Sequence, residues 1–318
     1  MSSPVETEDL KRVLEEILGE PLLNVRRQPS AYSSTFPIEH LRIAFPDRRA
    51  IRVIFKNLGR DAILDVASRV KPGFLYDPRR EINVYRYLHP ALNLGAPKLL
   101  GSSGDWLFLE YVPAPELYQI GDFEVWLEAA RWLARLHAAR ASEPAAARKL
   151  VPQLLEHDAS YYDAWRSRAH AFAGSKLDGI VKSYSEVMNV LLALPRTLIH
   201  GEFYASNVLV QTIEHGVRIC PVDWEMSAIG PGILDVAALA SGKWSRERRW
   251  MMAQAYCAAL PEKLRPPNLI AAFECAQLQM ALQWLGWSDD WPMYKEHAQD
   301  WLAEALRAHG SVREAMPA

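Results

Sequence analysis

A chain of 318 residues, 50% hydrophobic and 23% charged, can bury a sizeable core over two lobes, which excludes a disordered or low-complexity protein. A formal net charge of -2 and a pI near 6.5 provide no global attraction to nucleic acid or an anionic membrane, so neither is expected as a partner. Cys220, Cys257 and Cys275 sit in apolar surroundings without CxxC spacing, and no segment reads as a secretion signal or membrane span, which predicts a cytoplasmic protein with ordinary buried thiols.

Thr7 to Leu18 carries Leu10, Val13, Leu14, Ile17 and Leu18 at helical spacing, with Thr7 as a cap and Gly19 as the stop. Runs with β character at Leu22 to Arg26, Ile38 to Phe45 and Ala50 to Phe55 predict a three-stranded meander. Glu81 opens a helical pattern that continues to Leu88. Ala96 to Leu100 and Trp106 to Val112 read as two more strands joined by Gly101-Ser102-Ser103-Gly104, and Pro113 and Pro115 stiffen the passage that follows. Helices are predicted over Phe123 to Ala139, Ser160 to Phe172, Gly179 to Leu192, Glu247 to Leu260, Asn268 to Trp287 and Met293 to Ala308. His137 reads as a packing histidine, and Arg246, Arg248 and Arg249 as a solvated helix face.

The stretch Leu198 to Trp224 departs from this helical background. His200, Gly201, Glu202 and Asn207 lie on a loop entering a β-prone run, and the turn Glu214-His215-Gly216 leads to a second run, Val217 to Val222, that ends on Asp223. A hairpin brings the start of its first strand beside the end of its second, so Asn207 and Asp223 are expected to face one another. An amide oxygen and a carboxylate converging there are hard ligands of the kind Mg²⁺ takes when phosphate and water complete its shell.

His200-Gly201-Glu202, four residues, Asn207, and Asp223 after the hairpin together resemble the aminoglycoside phosphotransferase and choline kinase family. That family has a bilobal, protein-kinase-like α+β fold, with an antiparallel sheet plus helices in the N-lobe and a mainly helical C-lobe holding a catalytic hairpin. Where the family's motif has aspartate, Glu202 keeps the carboxylate on an arm longer by one methylene. Gly230-Pro231-Gly232 and Asp235-Val236-Ala237 resemble a following family segment whose aspartate orients the catalytic loop.

The resemblance implies roles for further residues. Lys56, at the end of the third strand with its side chain opposite to Phe55, would contact the α- and β-phosphates and be held by Glu81. Ser33 and Ser34 fall in the place of the phosphate loop, here without glycine, where their hydroxyls would stand in for close backbone contacts; an ordinary polar hairpin turn has the same composition. Glu110, Tyr111 and Val112 would present backbone groups to the purine, which sets the boundary between residues 1–112 and 113–318. Glu225, Trp287, Asp289 and Asp290 are the acceptor-binding candidates, although clustered tryptophans are more often core packing.

The implied reaction moves the γ-phosphate of ATP or GTP, with Mg²⁺, to a hydroxyl of a small molecule such as an aminoglycoside, a sugar or another metabolite, with Glu202 as the proton acceptor. The alternatives are a nucleotide-binding pseudokinase acting as a scaffold, and nucleotidyl transfer from the same pocket.

Overall fold

The computed structural model describes residues 5–30, 35–92, 94–140, 144–287 and 299–316. Helix α1 (Thr7–Leu18) precedes strands β1 (Asn24–Pro29), β2 (Ile38–Ala44) and β3 (Ala50–Asn57). A crossing that contains α2 (Asp65–Val70) leads to α3 (Pro78–Asn83), which continues through a π-helical turn (Val84–Leu88) into α4 (His89–Leu92). Strands β4 (Leu99–Ser103) and β5 (Trp106–Glu110) complete an antiparallel five-stranded sheet in the order β1-β2-β3-β5-β4.

Local chemistry sets these elements. Gly19 ends α1 in the left-handed region at φ 73°, donating its N–H to Glu15 O. The Asp77 carboxylate accepts from Arg79 N and Pro78 occupies the first turn of α3, which fixes where that helix begins. Side-chain alternation then divides the sheet. Val53, Phe55 and Phe108 face α1 in one cluster, while Leu107 and Leu109 face α3 and join the main core. Lys56 follows Phe55 and therefore points to the α3 side, as the alternation predicts.

Two strands of this sheet start later than predicted, and β5 ends at Glu110, two residues before the predicted Val112. The first starts at Asn24 because Leu22 is held by the turn after α1, where its N–H donates to a Glu15 carboxylate oxygen at 2.8 Å. The fourth lies at Leu99–Ser103, so Gly101, Ser102 and Ser103 belong to the strand rather than to a turn. Pro97 offers no N–H to a ladder, and Gly101 passes so near α1 that a Cβ there would meet Ile17 at 2.6 Å.

Helices α5 (Phe123–Arg140), α6 (Pro144–Leu150), α7 (Ala159–Ala173), α8 (Asp178–Ala193), α9 (Ile233–Leu239), α10 (Arg246–Ala259), α11 (Leu269–Gly286) and α12 (Trp301–Ala315) make up most of the remainder. The hairpin pairs β8 (Val208–Ile213) with β9 (Gly216–Pro221). The C-terminal part also holds a small sheet unforeseen from the sequence: β6 (Leu155–Glu156) and β7 (Arg196–Ile199) flank β10 (Ala228–Pro231). These strands have too few residues to show a period. Helix α11 is apolar on nearly every side, and Ala271 through Gly286 are all buried, which makes it the axis of the helical part.

The final helix begins at Trp301, where the Asp300 carboxylate caps it by accepting from Ala303 N, rather than at Met293, which lies outside the described residues. The basic run on α10 is only partly solvated: Arg248 lies over the rings of Phe123 and Trp244, and Arg249 pairs with Glu304. Among the described residues no helix is long and apolar enough to cross a membrane.

Phe55 is fully buried and stacks on Phe108 with ring centroids 5.2 Å apart. Phe55→Ala should lower stability by about 3–5 kcal/mol through lost burial and the cavity left behind. Chemical denaturation followed by Trp fluorescence measures this, and a loss below about 1 kcal/mol would place Phe55 outside a packed core.

Candidate active site

The crossing from sheet to helical part brings three charged side chains together. The Lys56 ammonium donates to both oxygens of Glu81, at 2.9 and 2.8 Å, and to Asp223 Oδ1 at 2.9 Å. Lys56 and Glu81 are buried, and the Asp223 side chain keeps an open side. Burial works against the lysine charge, but Asp223 and Glu81 outweigh it and hold Lys56 protonated well above its ordinary range. For Glu81 burial raises the pKa and Lys56 opposes it; for Asp223 burial is overcome by Lys56, so its pKa falls.

The hairpin sets Asn207 against the residue before Asp223. Val208 pairs with Pro221, and Val222 N donates to Asn207 O at 2.8 Å. Asp223 then adopts φ 64°, a left-handed conformation that aspartate tolerates better than most residues and that turns its carboxylate to Lys56. The Asn207 amide donates to Glu202 O at 3.0 Å, so its oxygen faces away from the loop. One oxygen of Asn207 and one of Asp223 are thus offered at the mouth of the hairpin, a donor set that suits a hard cation.

Asp235 holds the loop from behind. Its carboxylate accepts from His200 N at 2.7 Å and Gly201 N at 2.9 Å, and lies 3.2 Å from His137 Nε2. Burial opposes its ionisation, yet these donors and the nearby histidines keep its pKa low. His137 also contacts the Tyr256 hydroxyl at 2.9 Å, which makes it a packing and positioning residue, as its pattern predicts. His200 is fully buried; burial lowers its pKa, and the neutral ring donates from Nε2 to Val222 O at 2.9 Å. Gly201 has φ 87°, and a Cβ there would lie 2.2 Å from Met226 O.

Glu202 is half-buried, and among the described residues no hydrogen bond reaches its carboxylate. Burial, with the charges of Asp223 and Glu225, pushes its pKa up to about 8, while Lys71 and Lys56 pull it down. Glu225 is not an open acidic residue, because Lys71 forms an ion pair with it. The guanidinium of the buried Arg80 reaches the same turn, donating to Glu225 O at 2.6 Å and to Leu75 O at 2.9 Å.

At the end of β5 the Glu110 N–H is taken by Lys98 O, and its carboxylate is held by Arg218 at 3.1 Å. The Tyr111 ring packs between His40 and Arg52. Val112 accepts from Ala114 N, and among the described residues its own N–H has no partner. Trp287 is 8% exposed and packs on Trp165 at 5.3 Å, beside Tyr161 and Phe74. Ser33, Ser34, Asp289 and Asp290 lie outside the described residues.

The structure therefore brings Lys56, Glu81, Glu202, Asn207, Asp223 and Glu225 together where the sheet meets the hairpin. Sequence reasoning missed Lys71, Arg80 and Tyr161. Arg80 adjoins Glu81 and carries a legible signal, an arginine on the inner side of a helix start. Lys71 carries none, because its partner is 154 residues away.

The sequence pattern of the phosphotransferase enzyme family matches residues 49–267. No curated protein sequence matches the chain. Among solved structures, a choline kinase from Cryptosporidium parvum Iowa II is similar with a TM-score of 0.65 at 16% identity, over 98% of each chain. A choline/ethanolamine kinase family protein from Mesorhizobium loti gives 0.58 at 15% identity, over 98% of this chain and 95% of that one. A spectinomycin phosphotransferase in complex with ADP and spectinomycin gives 0.55 at 13% identity, with 98% and 95% covered. At these identities the likeness concerns the fold, which is kinase-like.

Gly201→Ala adds a Cβ into the Met226 carbonyl and demands φ 87° of a residue with a side chain. A displacement of the loop by about 1 Å should lower kcat by about a hundredfold and leave nucleotide binding largely intact. Turnover and calorimetric nucleotide affinity, measured on the same folded variant, check this; unchanged turnover would show that the loop absorbs the clash.

Proposed function

The chain belongs to the phosphotransferase enzyme family, and on that premise we propose that it transfers the γ-phosphoryl group of a purine nucleoside triphosphate to a hydroxyl of a small molecule. The observation that carries the reading is the buried Lys56 ammonium held between Glu81 and Asp223, which joins the sheet to the hairpin at one charged point.

Residues 1–112 supply the nucleotide side of the cleft and 113–318 most of the acceptor side, which the crossing between β3 and α3 adjoins. The Val112 N–H, unpaired among the described residues, is the group available to a purine ring nitrogen; Glu110 acts through its ion pair with Arg218, which fixes the end of β5. Lys56 binds the α- and β-phosphate oxygens with Glu81 aligning it. Asn207 and Asp223 would hold Mg²⁺, which when bound would neutralise charge on the triphosphate. Two protein oxygens are enough for such an ion, because phosphate oxygens and water fill the other positions.

Glu202 accepts the hydroxyl proton as the acceptor oxygen bonds to the γ-phosphorus and the bond to the β,γ-bridging oxygen breaks, leaving the nucleoside diphosphate. Little base strength is needed early in a loose transition state, so orientation of the hydroxyl is the larger part of this role. The Asp235 carboxylate, through the N–H groups of His200 and Gly201, keeps the loop in register for it.

Two outcomes test the reading. Asp223→Ala should abolish the Mg²⁺-dependent part of a nucleotide-induced thermal shift while the protein stays folded; a folded variant with the full Mg²⁺-dependent shift would refute the metal assignment.

The second is a pH dependence. Only ionised Glu202 accepts a proton, so kcat/KM should rise with pH through a midpoint near 8 and level off above it, and Glu202→Gln should abolish both the activity and that limb. The stability effect has a definite sign. A raised carboxyl pKa means that the folded protein retains a proton the unfolded chain releases, so this group's favourable contribution is complete below about pH 4.5 and lost as pH rises to about 8. Glu202→Gln should therefore gain stability relative to the parent between pH 5 and pH 8.5; thermal unfolding at both pH values reads the difference, and a constant gap would remove Glu202 as the titrating group.

A further inference from the structure

The crossing from β3 to α3 leaves the sheet and lies on the helical part beside the proposed acceptor site. Its backbone is tied at Val70 O, which accepts from Arg168 Nη2 at 3.4 Å, and at Leu75 O, which accepts from Arg80. Phe74 meets the rings of Tyr161 and Trp165, with centroids 6.3 and 5.9 Å apart. Lys71 pairs with Glu225, and their side chains are 5% and 10% exposed. Glu225 follows Asp223 by two residues, and its charge is felt by Glu202. The crossing thus carries one exposed aromatic ring, Phe74, and a buried cation, Lys71, whose charge acts on Glu202.

We propose that Lys71 is a specificity-determining residue: by occupying the Glu225 carboxylate with an ammonium built into the chain, it selects an uncharged alcohol with an apolar body as acceptor and disfavours an alkylammonium alcohol. The inference rests on the phosphotransferase reading. The exposed ring of Phe74 would attract apolar groups and cations alike, so it does not decide the class by itself. Charge decides it. A free Glu225 would complete a cation site, whereas a Lys71–Glu225 pair leaves no net charge for an ammonium and places a like charge close by.

Lys71 cannot easily yield the position. Pro72 follows it, Val70 O is held by Arg168, and swinging the ammonium away would leave a buried carboxylate to be paired anew. Arg80 is 2% exposed and donates to the Glu225 carbonyl, which fixes the turn from the other side and adds a second positive charge.

Choline and 3,3-dimethylbutan-1-ol form a matched pair, since they share shape and hydroxyl and differ in the charge of one atom. With ATP and Mg²⁺, the parent protein should use the uncharged alcohol with a KM at least about tenfold lower than that for choline. Lys71→Met should shift the KM ratio at least tenfold toward choline with kcat less affected, and Lys71→Arg should keep the parental ratio. Glu225→Gln, which leaves the lysine charge unbalanced, should shift the ratio away from choline; it also serves if Lys71→Met does not fold. A parental preference for choline, no discrimination between the two, including no response to either, or a ratio unmoved in the variants would overturn the proposal. Mg²⁺-dependent nucleotide binding and its loss in Asp223→Ala, read in the same preparations, report on the phosphotransferase reading separately.

Discussion

A lysine ammonium removed from water is costly unless carboxylates surround it, and Lys56 is placed where two of them converge from different parts of the chain. Glu81 comes from the helix under the sheet and Asp223 from the far end of the hairpin, so satisfying one buried charge fixes the position of the sheet on the helical part. The dependence runs both ways. Without Lys56, Glu81 would be a buried carboxylate with no cation and Asp223 would lose the charge that lowers its pKa. The same arrangement that closes the fold leaves one oxygen of Asp223 without a partner among the described residues.

Asp235 acts in a similar way on the loop. A carboxylate that accepts two successive backbone N–H groups imposes their direction, and Gly201 alone has the freedom to follow, because any side chain would enter the Met226 carbonyl. His137 from α5 completes the shell of Asp235 and is itself held by Tyr256 from α10, so helices distant in sequence hold the loop that carries Glu202.

A third set of contacts ties the β3–α3 crossing to the helical part through Arg80, Arg168 and the Lys71–Glu225 pair. Each arginine donates to backbone carbonyls rather than to carboxylates. Such bonds fix the path of the chain without placing net negative charge near Glu202. The raised pKa of Glu202 is then the result of a few named charges: Asp223 and Glu225 raise it, Lys71 and Lys56 lower it, and burial sets the base from which they act.

The sequence by itself determined the elements whose periods are long or whose signals are local: α1, α5, α7, α8 and α11 from their apolar spacing, β2, β3 and β5 from runs of β-prone residues, and the hairpin from its turn. It placed Asn207 and Asp223 at the same end of the hairpin, but the register sets Asn207 against Val222 rather than against Asp223 as expected. It also determined the side of the sheet to which Lys56 points, because strand alternation has a fixed period of two. The tertiary structure decided the rest. Strands β6, β7 and β10 are too short to carry a period and exist through pairing with partners far along the chain. Gly101 joins a strand rather than a turn because α1 leaves room for no side chain. Glu225 reads from the sequence as an acceptor-binding candidate, and only the fold, by bringing Lys71 across 154 residues, decides that its charge is already matched. Ion pairs of that kind depend on where two chain segments meet in space, and no spacing along the chain encodes them.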